Sequence, residues 1–368
     1  MLKVKSHTPV DGVQVDVITG FGASYGIDFD REKNVYIPDF KTGNFIRLSS
    51  DLEQQQAFDT NGSALVDSTI NQSKSVADAV KALDSPHEVS FDDDGNIYVS
   101  DYGAGCVAQI SPEGTVLRRL GEKLNDGIGI IQPVTTHFAR DGFLYVGEYG
   151  NARILRYTKE GEMVGWLGAT EDGPAQSHFR TSGKPVALNA PGGLSYPHAT
   201  RIDADGFLYV TDTGNNRIVK YDEDGGYIGW VGLRSDGRLN QSWEPDGQAI
   251  QGRQLGAFHG PLDIEIDGAG NIYVSDCEND RIVKLDTQGQ SVAWLGKPEG
   301  GKSEEIWHVD GIAETGTGVM ELHGPFGLRL DDDTMYIADK QNFRIQIVRS
   351  SKLEVTATDS STRAEHRA

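Results

Sequence analysis

The sequence predicts an all-β fold: a six-bladed β-propeller of four-stranded antiparallel blades, its ring closed by an N-terminal outer strand in the last blade. Three observations predict it. A Tyr-containing strand ending in an acidic residue recurs as "NVYIPD" (Asp39), "NIYVSD" (Asp101), "FLYVGE" (Glu148), "FLYVTD" (Asp212), "NIYVSD" (Asp276) and "TMYIAD" (Asp339), spaced by 62, 47, 64, 64 and 63 residues. Self-similarity at such a period marks an array of supersecondary units. The best-kept copy, "YPHATRIDADGFLYVTDTGNNRIVKYDEDGGYIGWVG", holds alternating apolar segments separated by "DADG", "TGNN" and "DEDGG", each a turn signal, and so reads as four short strands. The last copy stops near Arg349 after three strands, while "DGVQVDVITG" has the pattern of the fourth strands "EGEMVGWLG" and "DGGYIGWVG". An N-terminal strand lent to that blade closes the ring without a long open edge.

Each element then falls into place within one unit. In "SPHEVSFDDDGNIYVSD", residues 85–101, Pro86 opens the first strand, "DDDGN" turns it and Asp101 ends the second. "DDDGN" is as rich in carboxylates as a calcium loop but lacks the downstream Glu, so it reads as the hairpin turn. The "NxRI" arginines Arg153, Arg217 and Arg281 recur in phase and are expected to tie neighbouring blades together. Long segments, residues 53–84, 169–195, 233–259 and 297–323, follow the fourth strands and are expected to thicken the face on which the first strands begin. Their aromatic, His and Arg residues, Arg180 among them, suit a binding cap. The plainer reading is that insertions collect there because they cost little loop-closure entropy.

Composition bounds the function. The chain has 368 residues, 45 glycines and no apolar run near 18 residues, which excludes a membrane-spanning helix. With 55 acidic against 34 basic residues, a net charge of -21, it repels phosphate backbones, so neither nucleic acid nor an anionic membrane is an expected partner. The start "MLKVKSHTPVDG" lacks the apolar stretch of a secretory signal and the two cysteines, Cys106 and Cys277, make no disulfide framework, so a cytoplasmic location is expected. Residues 10–349 form one propeller on this reading, and 350–368 a polar tail.

His87 and His198 occupy the same repeat position, fourteen residues before Asp101 and Asp212; its other occupants are Tyr25, Val134, Leu262 and Phe326. Neutral imidazoles fixed to different blades can hold zinc or another divalent transition metal with a position left for substrate. A repeated histidine at a strand end is also an ordinary hydrogen-bonded structural residue. Alternation along the first strands puts Asp28, Glu88, Ser90, His137, Arg201, Asp263, Glu265 and Arg329 in the channel and Ile27, Val89, Ile264 and Leu328 behind it. His87 and His198 share the parity of the apolar set, so they reach the channel only if the strand's first residue is splayed at the mouth.

The copies resemble NHL repeats over residues 24–349, in the Pro-x-hydrophobic first strand, the "DxxGNxYVxD" hairpin and the "NxRI" third strand. The "PH" at a strand head resembles the peptidyl-α-hydroxyglycine α-amidating lyases, NHL propellers themselves. The resemblance implies that three such histidines from alternating blades hold a catalytic zinc, and that a tyrosine in "YxNxRI" acts on the substrate hydroxyl. Here His87 and His198 match two ligands and Tyr149, in "EYGNARI", matches the tyrosine. The last blade departs: "HGPFGL" puts Phe326 where the third histidine belongs and Gly327 where the family has Asp, leaving His323, three residues upstream, or Glu88 as substitute ligand. The expectation is a metal-dependent lyase or hydrolase acting on a small polar or hydroxylated substrate, or a peptide, at the loop-bearing mouth. Tyr149 would move the proton, and Glu88, Tyr102, His137, Arg201, Asp263 and Arg180 would contact substrate. The alternative is a non-catalytic propeller serving as a protein- or peptide-binding scaffold.

Overall fold

The computed structural model describes residues 3–10, 12–20, 24–39, 44–52, 55–58, 83–112, 115–121, 129–174, 177–301, 305–350 and 353. Strands form where apolar and polar residues alternate, and turn chemistry sets their register. In "DDDGN" the Asp92 carboxylate accepts the amides of Asp94 and Asn96 at 2.9 and 2.8 Å, Gly95 takes a left-handed φ of +79°, and the Tyr98 hydroxyl donates to the same carboxylate at 3.2 Å. The device recurs with Asp30 and Tyr36, Asp203 and Tyr209, and Asp267 and Tyr273. It explains the tyrosine in these second strands, and it occupies the carboxylates that resemble a calcium loop.

The strands form eight sheets, seven of them with three or more strands, which corrects the expectation of six. The difference comes from the inserts. Ala169–Thr170 pairs with both Gly173–Pro174 and Pro185–Val186 to make a three-stranded sheet of its own, and Leu233–Arg234 pairs with Ala249–Ile250. The larger sheets have four strands, or five where an extra strand joins, and are antiparallel throughout; their first strands, Asp28–Phe29, Pro86–Phe91, Pro133–Phe138, Pro197–Ile202, Pro261–Ile266 and Pro325–Asp331, pack side by side around a central channel. The fold is thus a β-propeller of mainly four-stranded antiparallel blades. Gln14–Thr19 pairs antiparallel with Arg344–Arg349 and closes the last sheet, and Lys3–His7 adds one more strand outside it.

Between the sheets lies a ring of apolar cores, with Trp166, Trp230 and Trp294 fully buried in the fourth strands. Bridges Trp166–Arg180, Trp230–Glu244 and Trp294–His308 show that the inserts first run back along these outer strands. They protect the sheet edges before returning to the mouth, so they are less a cap than a rim on the outside of the disc. The segment 53–84 lies mostly outside the described residues. Of 350–368 only Ser350 and Leu353 are described; Leu353 is buried, and its carbonyl accepts from Lys284 Nζ at 3.0 Å. Among the described residues no helix is long and apolar enough to cross a membrane.

The acid that ends each second strand fixes the loop leading into the first. Asp212 accepts the Ser195 amide at 2.7 Å, Asn215 Nδ2 at 2.8 Å and Arg217 Nε at 2.7 Å, and Arg217 donates onward to the Ala190 and Gly193 carbonyls. Asp276 with Arg281 and Asp339 with Arg344 repeat the arrangement. The "NxRI" arginines therefore hold the incoming loop of their own sheet, not a neighbouring sheet.

Candidate functional site at the channel mouth

The parity conflict of His87 and His198 is resolved by a β-bulge after the opening proline. Pro86 faces Asp101 while Glu88 faces Ser100, and Pro197 faces Asp212 while Thr200 faces Val210, so one extra residue is inserted in each first strand. The same slip follows Pro133, Pro261 and Pro325. The hydroxyl just before the acid stabilises it. Ser100, Thr211 and Ser275 accept the amides of Glu88, Ala199 and Asp263 at 2.9, 2.7 and 2.7 Å, and donate to the Val134, Leu262 and Phe326 carbonyls of the next sheet.

The bulges turn one ring from each of several sheets onto the axis. The His87 and His198 centroids are 5.4 Å apart, and Phe326 lies 5.6 Å from the first and 4.9 Å, edge-on, from the second. Tyr25 stands 4.6 Å from both His87 and Phe326. A second tier comes from the residues that follow the acids: Tyr102 stacks on His87 at 5.9 Å, Tyr149 stacks on Tyr196 at 4.6 Å, and Lys340 Nζ lies 4.3 Å from the Tyr25 ring centre and 5.0 Å from that of Phe326. The mouth is an aromatic basin floored by two imidazoles.

Both imidazoles are neutral. Burial holds His87 well below its ordinary range, with His198 and Lys340 adding to the effect against a hydrogen bond to the Val134 carbonyl. Burial, reinforced by Lys340, brings His198 down to about 3 against a hydrogen bond to the Leu262 carbonyl. Tyr149 is pushed upward by burial and then by Tyr196 and Tyr102.

The expected third ligand does not join this pair. His323 is held in the incoming loop, its amide donating to Asp339 at 2.8 Å and its carbonyl accepting from Gln341, as the equivalent His259 amide donates to Asp276. Phe326 fills the place between the imidazoles. At Gly327 a Cβ would come 2.6 Å from the Tyr25 carbonyl, so no Asp fits there. Among the described residues no group of three His, Cys, Asp or Glu comes together to hold a metal ion. The donors present do not fit the three-histidine zinc centre that the resemblance implies.

The residues expected to contact substrate are divided. Tyr102 lines the basin. Glu88, Arg201 and Asp263 lie deeper and are engaged with one another's partners: Arg329 donates to Glu88, to Asp263 at 3.0 Å and to Asp28 at 3.3 Å, and Arg201 meets Glu265 at 2.8 Å. Burial raises the carboxyl pKa of Glu88, with Arg329 opposing and Asp263 adding. His137, farther down the channel, is kept neutral by burial and by Arg201 and Arg329. Arg180 is not at the mouth at all; it pairs with Trp166 on the outer edge and donates to the Gly173 carbonyl at 2.6 Å.

Sequence reading missed Tyr25 and Lys340 as wall residues, although both stand in phase with His87 and Tyr102. It also missed Tyr196, which holds a left-handed φ of +49° at a position where Ser85, Gln132, Gly260 and Gly324 are left-handed too. Two motif matches also went unseen and carry no site. "GASYG", residues 22–26, spells GxSxG, but Ser24 is buried and donates to the Gly26 carbonyl at 2.8 Å instead of standing on a strand-to-helix elbow. "GKPEGGKS", residues 296–303, spells a phosphate-loop pattern, but its first residues end a strand paired with Ala313–Glu314 and no helix is described after it. The Cys277 thiol is pushed up to about 12 by burial and is no nucleophile.

The NHL repeat model matches residues 194–221. Among solved structures, virginiamycin B lyase from Staphylococcus aureus is 14% identical, with 92% of this chain and 99% of that one covered and a TM-score of 0.52. A gluconolactonase from Xanthomonas campestris is 12% identical, covering 91% and 90%, with a TM-score of 0.55. An auxiliary nutrient binding protein from Bacteroides thetaiotaomicron is 14% identical, covering 89% and 69%, with a TM-score of 0.55. Likeness at these identities is likeness of fold, and with the repeat match it establishes a β-propeller that carries an NHL repeat.

Proposed function

We propose that this chain is a propeller enzyme of lyase or hydrolase type that works on a small polar or hydroxylated substrate in the aromatic basin. One observation carries the reading: two buried, neutral imidazoles from different sheets face one another in the basin, each hydrogen-bonded to a backbone carbonyl through one nitrogen, which leaves the other as a lone pair. A pair of such groups is costly to bury unless something hydrogen-bonds to it. His198 offers a nitrogen lone pair to a substrate hydroxyl or acidic C–H, and the Tyr149 phenol, still protonated, is placed at the rim to give a proton to the departing oxygen. The channel below is filled by the Arg329 and Arg201 ion pairs, so substrate enters and leaves by one face. The likeness to lyase and lactonase propellers supports this class of chemistry, and a catalytically inactive histidine-to-alanine variant of virginiamycin B lyase has been solved with quinupristin.

The test is turnover of a panel of lactones, aryl esters and α-hydroxyamides followed by mass spectrometry. Wild type is expected to convert at least one compound, His198→Ala to lose about 100-fold or more, and Tyr149→Phe to lose about 10-fold or more, with circular dichroism unchanged. No conversion by wild type, or equal rates in His198→Ala, sinks the reading.

A further inference from the structure

Lys340 stands out at the mouth because no described carboxylate answers its charge. It follows Asp339 directly, but that carboxylate is turned inward, accepting from the His323 amide, Asn342, Arg344 and Gln346. Asp280 is likewise engaged, by the Gly324 amide and the Thr315 hydroxyl. Among the described residues no carboxylate lies within 4.0 Å of Lys340 Nζ; what it touches are the faces of Tyr25 and Phe326. In a chain with 55 acidic residues to 34 basic ones, an ammonium left beside two aromatic rings and two neutral imidazoles is a vacancy for an anion. Its backbone is fixed by the turn Lys340–Asn342, closed by the Phe343 amide on the Lys340 carbonyl, so the charge is held over the basin from a rigid anchor.

We infer that Lys340 is the specificity-determining residue of the basin and that the substrate carries a carboxylate on an apolar, ring-sized body. The ammonium pairs with the carboxylate, and Tyr25, Tyr102 and Phe326 take the body. The two imidazoles remain free to meet a hydroxyl on the same molecule, since neither can supply positive charge itself. The inference rests on the basin being the working site, and binding separates the two ideas where turnover does not.

The probes are phenylacetate and its uncharged counterpart phenylacetamide, titrated by ligand-observed NMR against wild type, Lys340→Met and Lys340→Arg. Wild type is expected to bind phenylacetate at least about 10-fold more tightly, a difference of about 1.4 kcal/mol, and the preference should shrink as salt is raised. Lys340→Met should erase the preference while keeping the affinity for phenylacetamide, which also shows that the variant is folded, and Lys340→Arg should retain most of it. Equal binding of both probes by wild type, or a preference that survives in Lys340→Met, overturns the role of Lys340 and leaves the basin standing as a binding site. Failure of both probes to bind wild type overturns both readings.

Discussion

His198 ties its protonation to the stability of the whole protein. In the unfolded chain its imidazole takes a proton near pH 6.5, whereas the folded ring does so only near 3. Below about pH 6.5 the unfolded state therefore binds a proton that the native state refuses, and stability falls as pH drops through that window and is flat above it. One such group contributes about 1.4 kcal/mol per pH unit. Urea midpoints of His198→Phe measured from pH 4.5 to 7.5 should show a slope shallower than wild type by about that amount; coincident slopes would mean that the ring is not held neutral. The position of His198 was legible because the repeat phases it with His87. Its neighbours were not: Gly147 approaches so closely that a Cβ there would lie 2.2 Å from the His198 carbonyl, and no sequence pattern announces such a contact. Lys340 escaped notice for a similar reason, since an isolated lysine after an acid reads as a surface ion pair until the acid is seen to face inward.

The bulged first strand is the element that makes the site. Its extra residue leaves an amide out of the ladder, and the Ser or Thr before the acid accepts it while donating to the next sheet. Thr211→Val keeps the shape, removes the hydroxyl, orphans the Ala199 amide and takes one donor from the Leu262 carbonyl. The cost is expected to be about 1–3 kcal/mol in urea denaturation, with His198 shifted as a result; a neutral substitution would show that the hydroxyl does not hold the bulge. The strands and their hairpins were readable from alternation and from "DxxGN" turns. The bulge was not, because a Ser or Thr in "YVSD" or "YVTD" fits simple alternation equally well. The insert sheets were hidden too, since paired strands of two residues carry no period.

At the scale of the molecule, closure by Gln14–Thr19 is what turns a row of sheets into a ring. Removing residues 1–19 exposes the Arg344–Arg349 edge and uncovers Ile345 and Ile347, both fully buried now. Such a truncation is expected to aggregate or to form larger species by edge pairing, visible in size-exclusion chromatography. A monodisperse, monomeric product would show that the strand is dispensable. The closure itself was foreseen from the three-stranded last copy, whereas the extra Lys3–His7 strand had no counterpart in the repeat to predict it.

The same closure sets an order in time. The strand that finishes the last sheet, Gln14–Thr19, is made before every first strand of the ring, and its partner Arg344–Arg349 is made after all of them. Domains tend to fold as they emerge, but here the early strand has to wait, unpaired, through the synthesis of more than three hundred residues. The basin waits as well, because Tyr25 comes from the first sheet and Phe326 and Lys340 from the last. A nascent chain stalled before residue 325 would display His87 and His198 without Phe326 and Lys340, so the basin is complete only once the last sheet has been made.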